Sequence, residues 1–143
     1  MSVQARRWVL LGCAAGLVVA AIVRAWFEIP PVSIGLWGIE VCDQGCHGVR
    51  WDDVPGAETD LYLIGYLAVA ASLVTAVLLA LVAFARAQAA TARKATLVTA
   101  GAMAYFVLRG LALDALPSGV EIGFALPLGL AAAVCAYVAL RRR

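Results

Sequence analysis

Charge is scarce in this chain and histidine is almost absent. Of the 143 residues 14% are Asp, Glu, Lys or Arg, and His47 is the single histidine. Soluble globular domains carry about 25% charged residues, so this composition argues against a surface that faces water all round. No glycine-rich phosphate loop, Ser-His-Asp set or basic nucleic-acid patch appears. His47 could reach a metal only with Asp43 or Asp52, and a lone histidine in a loop reads as surface. No catalytic residue, cofactor or metal is therefore expected, and neither nucleic acid nor a small-molecule substrate is expected as a partner.

What is abundant is apolar surface, at 64% of residues. A bilayer-spanning helix needs about 20 largely apolar residues, and four such stretches take up most of the sequence. They run over 8–26, 60–84, 95–116 and 122–140, with one long polar loop at 27–59. The expected fold is one all-α membrane domain, 1–143, without space for a separate soluble catalytic module. Arg6 and Arg7 precede the first stretch as in a signal peptide, but Arg24, Trp26 and Phe27 follow it instead of a small-residue cleavage pattern. It is expected to be a retained span, bracketed by Trp8 and Trp26 at the two interfacial levels. Gly12 and Gly16 form a GxxxG that suits close packing within the bundle or, alternatively, a dimer face.

The charges are segregated. Arg6, Arg7, Arg86, Arg93, Lys94, Arg141, Arg142 and Arg143 make eight of the eleven basic residues, all on the side of the termini and the middle loop. All nine acids, Glu28, Glu40, Asp43, Asp52, Asp53, Glu58, Asp60, Asp114 and Glu121, fall on the other side or at its edge. The positive-inside rule puts the termini in the cytoplasm and the long loop outside a cell membrane. Arg24, Arg109 and Asp114 lie within or beside the spans. Arg24 and Arg109 either snorkel to headgroups or form an ion pair with Asp114 or Glu28, since intramembrane charge is costly unless paired.

The loop holds the unusual residues. Pro30-Pro31 is expected to stop the first helix. Val32, Ile34 and Leu36 alternate with Ser33 and Gly35 as a strand does, the phase slips at Trp37-Gly38 as at a bulge, and Ile39 and Val41 resume it. Asp43-Gln44-Gly45 suits a hairpin loop with Gly45 left-handed, and His47, Val49 and Trp51 return. Cys42 and Cys46 then face each other at a separation a disulfide can span, in a compartment where disulfides persist.

Two chemical alternatives use the same residues. Cys42 to His47 is a C-x-x-C-H haem attachment pattern stretched by one residue. Thiol–disulfide exchange is the other, because quinone-linked disulfide oxidoreductases share the layout of four spans with an exposed cysteine pair. Those enzymes relay electrons through a second pair, whereas Cys13 and Cys135 lie within the first and last spans as small apolar side chains.

The order Trp26, Gly35-Leu36-Trp37, Cys42, Cys46 resembles the first outer loop of the claudin and peripheral-myelin-protein superfamily, with its W…GLW…C…C signature. The resemblance extends less sharply to Thr59-Asp60-Leu61, Lys94-Ala95 and Glu121-Ile122-Gly123-Phe124. It implies a left-handed four-helix bundle topped by a small antiparallel sheet, with Trp37 anchoring the sheet at the membrane surface and Cys42 bonded to Cys46. It also implies action by contact within a lipid membrane, through self-association or another membrane protein. Glu40, Asp43, Asp52, Asp53 and Glu58 would form an acidic interaction rim. Only three residues separate the cysteines and the second outer connection, 116–121, is short, which favours a lateral or auxiliary role over a junction barrier.

Overall fold

The structure is a computed structural model, and it describes residues 2–50, 53, 59–112 and 121–141. Four helices, α1 (Val3–Ile22), α2 (Thr59–Ala83), α3 (Ala89–Ala112) and α4 (Ala125–Arg141), form a ring in which α1 packs on α2 and α4, and α3 packs on the same two. Five strands, β1 (Phe27–Ile29), β2 (Val32–Ile34), β3 (Gly38–Cys42), β4 (Cys46–Arg50) and β5 (Glu121–Ile122), make one antiparallel sheet in the order β4-β3-β2-β1-β5.

The bundle buries many small side chains and leaves many large apolar ones exposed. Its interior is built largely of small and hydroxyl side chains: Ala14, Ala20, Ala68, Ala76, Ala133 and Ala136, with Ser72, Thr75, Thr96 and Thr99 fully or almost fully buried. Its outer surface carries Leu67, Val74, Val77, Leu97, Val98, Leu108, Val134 and Val138. Small residues let helix axes approach. A Cβ on Gly16 would lie 3.2 Å from that of Ala132, and one on Gly129 would lie 3.1 Å from that of Ala20, so α1 and α4 meet along this seam. Across the α2–α3 seam the Thr75 and Thr99 hydroxyls are 2.8 Å apart. Ser72 and Thr96 instead donate back to the carbonyls of Ala68 and Ala92 four residues earlier.

Helix ends follow local chemistry. Ser2 caps α1 by accepting from the Ala5 amide at 3.1 Å. At the end of α2, Arg86 N–H bonds Leu81 O and Ala85 N–H bonds Val82 O, the paired bonds of a Schellman motif. Ala85 holds its left-handed position with φ 57°.

Several expected boundaries move. Helix α1 stops at Ile22, ahead of the prolines, and Trp26 lies beyond it, fully buried. Pro30-Pro31 is the turn between β1 and β2, joined by a cis peptide bond. The phase slip at Trp37-Gly38 is a chain reversal: β2 and β3 pair with Ile34 opposite Ile39, so alternation restarts in a new strand. Helix α3 begins at Ala89 and takes in Arg93 and Lys94, while Glu121-Ile122 forms strand rather than helix. Cys13 is buried as expected, but Cys135 is exposed on α4. Gly45 lies outside the left-handed range.

Candidate functional site

The sheet closes one end of the bundle and is built onto the end of α1. A helix leaves its last carbonyls without internal partners, and here two indoles take two of them. Trp26 Nε1–H donates to Ala20 O at 2.7 Å, and Trp37 Nε1–H donates to Ile22 O at 2.9 Å. The two tryptophans of the sequence pattern thus fix where the sheet begins and where its β2–β3 turn lands. Trp26 meets Phe106 of α3 edge-on at 6.0 Å, and Phe27 stacks on the same ring at 6.1 Å.

Gly35 and Leu36 serve the same turn. A Cβ on Gly65 of α2 would overlap the Leu36 carbonyl, so the missing side chain lets the turn rest on the helix. A Cβ on Gly35 would lie 2.7 Å from the Arg24 Cα, so the turn and the chain leaving α1 are in contact. The segment leading into α4 closes the other edge, where Gly123 N–H bonds Trp26 O and Ala125 N–H bonds Ala25 O.

Alternation then sorts the sheet into two faces. Phe27 and Ile34 are buried, and Val32 and Ile39 pack against the core. On the opposite face the register aligns Gly48, Glu40, Ser33, Glu28 and Glu121 in one row across all five strands. Facing residues in such a row have Cβ atoms about 5 Å apart, and like charges set opposite each other are unfavourable. Glu28 and Glu121 are such a pair. Arg24 brings a cation to the Gly48 end of this row: its guanidinium lies 3.8 Å from the Trp37 ring centroid and fills the space a Gly48 side chain would take. Its Nε is buried without a hydrogen-bond partner.

Cys42 and Cys46 are register partners and are disulfide-bonded, both exposed. Asp43 and Asp53 are exposed and Glu40 is half-buried, while Asp52 and Glu58 lie outside the described residues. Arg24 is stacked on Trp37. Arg109 sits half-buried in the last turn of α3, and Asp114 lies outside the described residues. His47 is exposed on β4, opposite Val41. Among the described residues no group of three or more His, Cys, Asp or Glu could hold a metal ion. Glu28 and Glu121 were not expected in the acidic surface. The parity of Glu28 with Ser33 is readable once β1 is recognised, but the pairing of Glu121 depends on tertiary placement.

Two helical segments, Val3–Ile22 and Leu63–Ala83, are long and apolar enough to cross a membrane, and α4 is a shorter apolar helix. No protein-family model matches the chain, and no curated protein matches it.

Proposed function

We propose that the chain is a four-span integral protein of the cell membrane, claudin-like in architecture, with both termini cytoplasmic and the sheet outside. It acts without catalysis, by lateral self-association or by binding another membrane protein through the outer face of the sheet. The observation that carries this reading is the packing of the bundle, in which Ala, Ser and Thr make much of the interior while many Leu and Val side chains are exposed. Packing of small residues and interhelical hydroxyl bonds is how helices associate where lipid removes the hydrophobic drive. Only 33% and 28% of the apolar windows in Val3–Ile22 and Leu63–Ala83 are buried inside the molecule, unlike the enclosed core helix of a soluble fold. The polar row of the sheet gives the contact surface its chemistry: Glu28, Glu40 and Glu121 favour a partner bearing Lys or Arg.

Crosslinking in native membranes and native mass spectrometry in mild detergent test the reading. An oligomer or stoichiometric partner that is lost on Glu40→Lys supports it. A strict monomer in membranes and in every detergent overturns it.

A second reading rests on the exposure of the Cys42–Cys46 disulfide, which leaves it open to thiols. A membrane thiol oxidoreductase would show a reduction potential near −200 mV or above, whereas structural disulfides typically lie below about −300 mV. Redox titration of the intact protein separates the two.

A further inference from the structure

The end of the bundle opposite the sheet contains a cavity that the outer-face reading does not use. Arg6 of α1, Arg93 of α3 and Arg141 of α4 line it, together with Ala89, Ala90 and Leu140, and its volume is about 270 Å³. That is just below the roughly 300–1,000 Å³ typical of small-molecule pockets, a size for a headgroup rather than a larger ligand. We infer that it is a binding site for a phosphate-bearing anion, the headgroup of an anionic phospholipid.

Three observations converge on that chemistry. First, three arginines from three helices line one space, Arg6 half-buried and Arg93 and Arg141 exposed, and like charges gathered this way repel unless an anion sits between them. Planar guanidiniums match phosphate oxygens with paired N–H donors. Second, the three helices bring no acidic side chain to it: the sequence has no Asp or Glu in 1–27, 61–113 or 122–143. Arg6 Nε is buried and has no hydrogen-bond partner. Third, Ala89 and Ala90 are the first two residues of α3, whose first turn carries no acid. Their amide N–H groups precede the first intrahelical bond, Ala92 N–H to Gln88 O, and the positive end of the helix dipole adds to the arginines. Arg7 is turned elsewhere, 4.3 Å over the Phe84 ring.

A lipid source for the phosphate rests on the four-span topology proposed above, which puts this cavity at the level of the cytoplasmic headgroups, where basic pockets between helices hold anionic lipids. The anion site itself rests only on the cavity. The test uses the purified full chain in a neutral detergent, titrated with phosphatidylglycerol, phosphatidylcholine or inorganic phosphate and followed by native mass spectrometry and thermal unfolding. Phosphatidylglycerol is expected to bind at least about tenfold more tightly than phosphatidylcholine, and Arg93→Gln and Arg141→Gln each to weaken it about tenfold, the loss of one charge-assisted hydrogen bond. Arg86→Gln, which removes a charge outside the cavity lining, is the control and should leave binding unchanged. If inorganic phosphate alone stabilises the protein through the same arginines, the site stands and its ligand is soluble phosphate. Equal binding of both lipids with no phosphate effect overturns the site, as does an Arg86→Gln loss as large as that of Arg93→Gln. Alkaline extraction of the protein from membranes would overturn the four-span topology while leaving the phosphate titration to judge the site.

Discussion

The guanidinium carbon of Arg24 lies 3.8 Å from the centroid of the Trp37 ring, and the indole N–H of that ring donates to the Ile22 carbonyl. One side chain thus joins the end of α1, the β2–β3 turn and the space above Gly48 in β4. A cation over a partly desolvated indole contributes about 0.5–2 kcal/mol, and a neutral hydrogen bond about 1 kcal/mol. Trp37→Phe keeps a ring face but removes the donor, and should destabilise by about 1 kcal/mol. Arg24→Gln should cost a similar amount in the native protein and far less in a Trp37→Ala background. Thermal unfolding of the four variants gives the coupling, and additive losses would mean that the stacked pair contributes nothing of its own.

Two glycines on neighbouring helices should respond in opposite directions to the same change. A Cβ on Gly65 would overlap the Leu36 carbonyl, whereas one on Gly12 would meet nothing within 4 Å. Gly65→Ala must push the turn off α2, and overpacking of this kind costs about 1–3 kcal/mol, more than the gain of up to about 1 kcal/mol in helix propensity. Gly12→Ala keeps only that gain. Melting temperatures should fall for the first and hold or rise for the second. A Gly12→Leu variant that dissociates an oligomer would reveal the dimer face of the GxxxG, since Gly16 already packs on Ala132 within the molecule.

How much of this was legible in the sequence depended on the range of the interaction. The apolar runs, the Cys42–Cys46 pairing and the three-residue connection between them are local and could be read directly. The reversal at Gly35-Leu36-Trp37 breaks alternation in the same way as a bulge, and the antiparallel pairing of β2 with β3 and the Leu36–Gly65 approach distinguish them. An aromatic residue after an apolar run, such as Trp26, reads as an interfacial anchor. Its burial against Phe106 comes from a residue 80 positions later, with no mark in the pattern. Ser72-x-x-Thr75 and Thr96-x-x-Thr99 carry a signal of the α2–α3 seam in the sequence, since matched hydroxyls one turn apart in two apolar helices suit a shared contact.

The hydroxyls of Thr75 and Thr99 bond across that seam at 2.8 Å, both fully buried. Interhelical hydrogen bonds of this kind in a membrane protein average about 0.6 kcal/mol and reach about 1.7 kcal/mol. Thr75→Val and Thr99→Val should each destabilise within that range, because each strands the other hydroxyl. The double variant should lose less than the sum, because no hydroxyl is left unpaired. A double-mutant cycle on unfolding in detergent measures the difference, and strict additivity would remove the bond from the account of α2–α3 packing.

Ala85 is the residue after α2 whose backbone lies in the left-handed region, with φ 57°. An L side chain is disfavoured there by roughly 1–2 kcal/mol, and glycine is not. Ala85→Gly should therefore stabilise the protein, by about 1 kcal/mol after the greater chain entropy of glycine in the unfolded state is set against it. A raised melting temperature checks this. A fall would show that the Ala85 methyl group, which lines a small cavity with Arg6, Arg7 and Val82, packs there to greater effect than its backbone costs.

The disulfide joins residues four apart in sequence, on the exposed hairpin that ends in edge strand β4. A 15-residue disulfide loop corresponds to about 3 kcal/mol, and a shorter one constrains the unfolded chain less, so Cys42→Ser with Cys46→Ser should cost about 2 kcal/mol. That loss should be local. Phe27 and Ile34 are buried against the bundle and hold the central strands, whereas among the residues of β4 only Val49 is partly buried. Amide exchange should therefore accelerate over 46–50 while 27–34 and the helices keep their protection. Unchanged exchange over 46–50 would show that the β3–β4 ladder is stable without the bond. Loss of protection throughout the sheet would make the disulfide a support of the whole outer face, in which case its removal should also abolish any association through the Glu28, Glu40 and Glu121 row.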